Sequence, residues 1–254
     1  NKFEFRMVGS SDSIADANVT LNAIVAEALC DAADVLEQAP DFSSACSHLI
    51  HENMARHQRI IFNGDGYSEA WTEEAKRRGL LNLPTTVDAL PRYLDQKNVE
   101  LFTSHKIYTE AEMEARYETI IEEYSKTLNI EALTMSEMVR RDILPAVSGY
   151  VASLAEAVAS KRAAVAGLPC AAETSLIQKL SSLLDSAYEK VEALDTLVAD
   201  GKAESHNALT AATYYKDVII PAMSELRAVV DQMEVDTSAD YWPYPSYGDL
   251  MFRV

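Results

Sequence analysis

The first residues able to do chemistry stand at the start of the chain, in NKFEFRM. Glu4 and Arg6 alternate there with Phe3 and Phe5. Strict alternation predicts a short strand whose two faces differ, with the phenylalanines on one and the carboxylate and guanidinium on the other. Such a pair is either an exposed ion pair on an edge strand or part of a polar site. In a site, the glutamate can give an oxygen to a hard cation, and the arginine can hold a carboxylate or phosphate.

Three other clusters deserve the same weighing. His48 and His51 lie three apart on one predicted helix face, with Glu52 and His57 nearby. Their order, HxxHE, matches neither zinc-protease arrangement and reads as a polar helix face. Asn63-Gly64-Asp65-Gly66 is a turn signal. It lacks the Gly-Lys-Ser/Thr ending of a phosphate loop and the spaced acids of a calcium loop. The acidic groups Glu118, Glu122 and Glu123, and later Asp185, Glu189 and Glu192, read as solvated helix faces. No nucleophile with an activating base emerges.

Composition limits the partners. The chain has 254 residues, 48% apolar, with only 8 glycines and 8 prolines. That supports one large or two small helical domains with a real core. A net charge of −18 disfavours nucleic acid and anionic membrane surfaces, since the nearest basic patch is the short KRRG at 76–79. No apolar run approaches the roughly 20 residues that a membrane span needs. Cys30, Cys46 and Cys170 are odd in number and lack CxxC spacing, which points away from a disulfide framework and toward a reducing cytoplasm. The chain opens on Asn1 inside a predicted element and is expected to be a piece of something longer.

The elements that must position these residues are mainly helical. A helix is predicted from about Asp12–Ala17 to Gln38, its apolar residues Leu21, Ile24, Val25, Ala28, Leu29, Ala32, Val35 and Leu36 keeping helical spacing. Pro40 ends it, and Asp41 or Ser43 caps a second helix to about Arg59. A short helix over 68–78 stops at Gly79, and short helices follow to about Thr103. Thr109 with Glu112 forms a capping box. Long helices are predicted from 109 to 126, 130 to 166, 173 to 200 (with Gly201 as a stop) and 205 to 233, forming an antiparallel bundle. DILPAVS and DVIIPAMS form a weak internal echo, each with a kinking proline. The tail DYWPYPSYGDLMFRV should be extended and docked on a groove of its own chain or of a missing part. The expected organisation is a core strand at 1–10, a helical part at 11–108, the bundle at 109–235 and the tail at 236–254.

Lys2-Phe3-Glu4-Phe5-Arg6 resembles the R-x-E-x-R strand of glutamine synthetases, with lysine in place of the first arginine. Asp16-Ala17-Asn18-Val19-Thr20-Leu21 is similar to the A-N-P-Y-L segment that follows there, with Val19 and Thr20 where proline and tyrosine stand. KFEFRMVGSSDSIA, RIIFNGDGYSEAW, GLLNLPTTVDALP, YSKTLNIEALTM, DILPAVS and YWPYPSYGDL are similar to the C-terminal region of the type III branch. The resemblance implies an α/β catalytic core that owns the strand, followed by helices. It implies an ATP-dependent ligation of ammonia to glutamate through a γ-glutamyl phosphate. Glu4 would be one ligand of Mg²⁺ or Mn²⁺, and Arg6 would face the glutamate carboxylate and the transferring phosphoryl group. The complete enzyme would be a homo-oligomer of stacked rings, and this portion alone would be inactive. The rival reading is a non-enzymatic helical bundle that binds a partner or senses a ligand.

Overall fold

A computed structural model describes residues 13–203, 207–245 and 247–252. The regular elements among them are all helical. The expected architecture of a short N-terminal β-strand followed by helices is therefore corrected to mainly α: no strand occurs among the described residues. Lys2–Arg6, where the strand was expected, lies outside them.

The chain divides into two units, with the division at Tyr117–Glu118. In the first, α1 (Ile14–Glu37) starts where Ser13 accepts a hydrogen bond from the Ala15 amide. Asp41 caps α2 (Phe42–Arg56) through the Ser43 amide. α3 (Glu69–Arg77) ends at Gly79, whose φ of 70° is the left-handed conformation glycine tolerates. α4 (Thr86–Ala89), a 3₁₀ turn over Leu90–Leu94, and α5 (Gln96–Ser104) follow. A small core gathers Ala23, Phe102 and Met113, with Val19, Tyr93 and Tyr108 packed on it.

α6 (Glu110–Met138) begins with the capping box: Thr109 Oγ1 accepts from the Glu112 amide at 3.2 Å, and Glu112 accepts from the Thr109 amide at 2.8 Å. It does not break near residue 126. It runs on through a π-turn, Val139–Ile143, into α7 (Leu144–Ala164). A tight reversal leads to α8 (Ala171–Ala203). α9 (Ala208–Tyr214) passes through a second π-turn, Tyr215–Ile219, into α10 (Ile220–Asp236).

Each π-turn ends two residues before a proline, Pro145 or Pro221. A helical proline ring collides with the carbonyl four residues back. The wider turn relieves this: the amides of Leu144 and Ile220, just ahead of the prolines, bond to the carbonyls of Val139 and Tyr215 five residues back. Aligned on the prolines, the echo VRRDILP and YKDVIIP needs no inserted residue.

The core of the second unit lies where α6, α7, α8 and α10 meet. Leu180, Val191, Leu194, Ile219, Leu226 and Met233 are fully buried there. Gly201 does not stop α8, which continues to Ala203. It is buried, and a Cβ there would meet the Tyr214 ring at 2.7 Å. One 18-residue stretch within Glu110–Ala164 is apolar enough, by length and composition, to cross a membrane, which corrects the reading that no such run exists. The α7 part of that run is alanine-rich and packs along α8. The tail is only partly extended, since its last described residues form α11 (Tyr247–Phe252).

Candidate functional site

Glu4 and Arg6, the residues singled out for chemistry, lie outside the described residues. The other candidates lie within the described residues, and several of them have local partners. His48 Nε2 is 3.3 Å from Glu52 one turn along the same exposed helix face, and His57 occupies the C-cap of α2. Among the described residues no group of three or more His, Cys, Asp or Glu side chains could hold a metal ion. A divalent cation therefore does not fit the described part.

The Asn63–Gly66 turn is spent on its own backbone. Asp65 Oδ1 accepts from the Tyr67 amide at 3.0 Å, and Ser68 Oγ donates to the Asp65 carbonyl at 2.8 Å. The approach to the turn is held by Arg78, which donates to the carbonyls of Arg59 (3.1 Å) and Ile61 (2.8 Å) and to Glu74 (2.5 Å). Its guanidinium also lies 5.7 Å and 6.0 Å from the ring centroids of Trp71 and Phe62, which stack on each other at 4.3 Å. Hydrogen bonds first from Arg77 and then from Arg78 hold the Glu74 carboxyl down at about 2. A Cβ at Gly64 would stand 2.5 Å from the Phe62 ring, so a larger residue there would force that ring to shift. The sequence marks the turn through its glycines; the arginine latch, 17 and 19 residues away along the chain, leaves no local signal.

The acidic patches are also helix faces with partners. Glu122 pairs with Lys126 at 2.7 Å. Glu192 joins a network at the first π-turn, where Arg140 reaches Glu192 at 2.6 Å and Asp195 at 2.5 Å. Ser136 donates to the same aspartate at 2.6 Å.

One concavity in the second unit went unread in the sequence. A groove of about 520 Å³ runs between α6 and α10, with Met135, Met138, Val139, Val230, Trp242 and Tyr244 among its walls. The tail forms its end. Trp242 and Tyr244 pack on the core, and Tyr241 lies 5.3 Å from Tyr150. Of the two docking sites expected for the tail, its own chain is the one observed. Tyr244 donates to Asp142 at 2.7 Å. Burial, and then this bond to a carboxylate, push the Tyr244 phenol up to about 12. The aromatic-rich tail was the available signal. The groove wall needs two helices that are remote in sequence.

Comparison with known proteins bears on all of this. Residues 45–162 match the model of the glutamine synthetase C-terminal domain. A glutamine synthetase of Butyrivibrio fibrisolvens is 36% identical over 211 residues, covering 81% of this chain and 29% of the relative. A type-3 glutamine synthetase of Dictyostelium discoideum is 34% identical over 258 residues, covering 99% of this chain and 35% of the relative. A glutamine synthetase of Bacteroides fragilis is 29% identical over 266 residues, covering 99% and 36%. The chain spans about a third of the length of these curated relatives. With a matching domain model and relatives of one name along nearly all of its length, the chain belongs to the glutamine synthetase family.

Proposed function

We propose that this chain is part of an ATP-dependent glutamate–ammonia ligase of the type III kind. The observation that carries the reading is the agreement of the domain match with relatives that cover 81% to 99% of the chain. In that reaction ATP transfers its γ-phosphoryl group to the glutamate γ-carboxylate. Ammonia then attacks the acyl phosphate carbon, and inorganic phosphate leaves. A bound divalent cation, Mg²⁺ or Mn²⁺, supplies charge stabilisation for the phosphoryl oxygens. The proposed contributions of this chain are two. Glu4 gives one carboxylate to the metal site, and the Arg6 guanidinium holds the substrate carboxylate and the phosphoryl oxygens. The ATP pocket and the other ligands belong to polypeptide beyond this chain, within a cytoplasmic homo-oligomer of stacked rings. The helical units are scaffold and subunit-contact material.

The test is glutamine formation by the uninterrupted gene product, unaltered and with Glu4→Ala or Arg6→Ala. Each substitution is expected to lower turnover by about a hundred-fold or more, the scale of losing one preorganised charge-stabilising group. Glu4→Ala should also raise the cation concentration needed for half-maximal activity. Unchanged turnover and cation dependence in folded variants would remove both residues from the site.

A further inference from the structure

The groove of the second unit joins two unlike linings. One is apolar and aromatic: Met135 and Met138 of α6, Val230 of α10, and Trp242 and Tyr244 of the tail. Two further lining residues, Val139 and Ile143, bound the first π-turn, and widened turns of this kind recur at functional sites. Methionine side chains adapt to the shape of a guest, and an indole offers an electron-rich face.

The other lining is acidic. Glu131 of α6 and Asp231 and Glu234 of α10 stand against one cation among the described lining residues, Arg227. Arg227 is engaged by Asp231, 3.4 Å away and one turn along α10. Glu131 and Glu234 are exposed and meet no cation among the described residues. The groove therefore pairs an apolar wall with uncompensated negative charge. Its size narrows the guest. A volume of about 520 Å³ falls in the range of about 300–1,000 Å³ that holds a drug-sized molecule. The tail stands across one end, whereas a partner helix needs a trough that it can run through.

We propose that this groove binds a small organic cation with an apolar body, an aryl- or alkylammonium compound. The body lies against Met135, Met138 and Trp242, and the ammonium group stays at the rim beside Glu131 and Glu234, where it keeps part of its hydration. Charge selects among guests of one shape. A neutral molecule gains only the apolar contact, and an anion meets repulsion from the carboxylates and from a chain of net charge −18. All of these walls belong to the second unit, so the site is independent of Glu4 and Arg6.

Phenylbutylamine, phenylbutanol and phenylbutyrate share one apolar body and differ in charge, which makes them the probes. Their binding to the unaltered 254-residue chain and to the uninterrupted gene product is followed by isothermal titration. The amine should bind saturably to both proteins and about five-fold or more tighter than the alcohol, the scale of one or two exposed charge pairs. The acid should bind more weakly than either, and the advantage of the amine should shrink as salt screens it. Glu131→Gln with Glu234→Gln, both at exposed positions, should bring the amine down to the affinity of the alcohol and leave the alcohol unchanged. Met138→Trp, which fills the groove from an exposed position, should abolish binding of both; the glutamine pair decides the matter if that variant does not fold. Absence of saturable amine binding, or equal affinity for amine and alcohol, would overturn the proposal. So would binding that survives in folded Met138→Trp, since the site would then lie elsewhere. Binding that is absent from the longer protein, or that fades as the 254-residue chain is concentrated, would give the groove to other polypeptide or to a second copy and would overturn it too.

Discussion

At the scale of single residues, two side chains show packing that can be tested by small changes. Gly201 sits inside a helix, where replacement by alanine ordinarily gains about 1 kcal/mol. Here the added methyl meets the Tyr214 ring at 2.7 Å. That ring is held in place, because its hydroxyl donates to the Leu197 carbonyl at 3.0 Å. Overpacking of a fixed neighbour costs about 1–3 kcal/mol, so the clash should win. Gly201→Ala is expected to lower the unfolding free energy by about 1–2 kcal/mol in urea titrations; stabilisation would mean the ring moves aside. Glu74 gives a pH-dependent counterpart. Its carboxyl is lowered from 4.5 to about 2 by its arginine partners. A lowered value means the folded state favours the ionised form. Its contribution is complete above about pH 4.5 and is lost as pH falls toward 2. Trp71 fluorescence, in a Trp242→Phe background, should therefore hold steady down to about pH 4.5 and change below it. Glu74→Gln should remove that step.

At the scale of elements, the π-turns are where tertiary links attach. The first places Arg140 between Glu192 and Asp195 of α8, with Ser136 sharing the aspartate. The guanidinium is 32% exposed and its partners 39% and 51%, so solvent screening discounts the ion pairs. Arg140→Ala is expected to cost about 1 kcal/mol, and less at high salt, as read by thermal unfolding at two ionic strengths. A salt-independent loss would assign the effect to packing of the arginine stem instead. Helix ends were legible wherever a capping side chain or a glycine supplied a local cause, as at Thr109 with Glu112, Asp41 and Gly79. Gly201 misled because the same residue type serves as a stop and as room for a neighbouring ring, and only the tertiary partner tells which. Pro145 and Pro221 announced an irregularity, but the five-residue turn ahead of each depends on how the chain accommodates the ring. Periodicity placed α1 correctly. It could not say that Val19 and Ala23 would meet the core while Ile24, Val25 and Leu29 stay exposed, because spacing defines a face and not its partner.

At the scale of the molecule, the two units differ in what they bury. Among the described residues, the first gathers a core cluster of three buried residues while twelve of its large apolar side chains, from Ile14 to Leu81, are exposed. The second packs a long, continuous core. Apolar burial at about 25 cal/mol per Å² is the main stabilising term, so the units should not melt together. The 254-residue chain is expected to unfold in urea in two steps, with Trp71 reporting the earlier one and Trp242 the later. A single coincident transition would mean the units are energetically one. The candidate site itself was legible only through a family pattern. Two charged residues on alternating positions fit an ordinary edge as well as a ligand set, and Glu4 and Arg6 acquired roles from the resemblance of KFEFR, not from spacing.

The most direct measurement is ATP-dependent glutamine formation by the 254-residue chain and by the uninterrupted gene product, side by side, with Mg²⁺ and then Mn²⁺. The longer protein should make glutamine and the 254-residue chain should make none, since a single carboxylate at Glu4 cannot assemble a metal site. Glutamine from the 254-residue chain alone, or none from a folded longer product, would contradict the account.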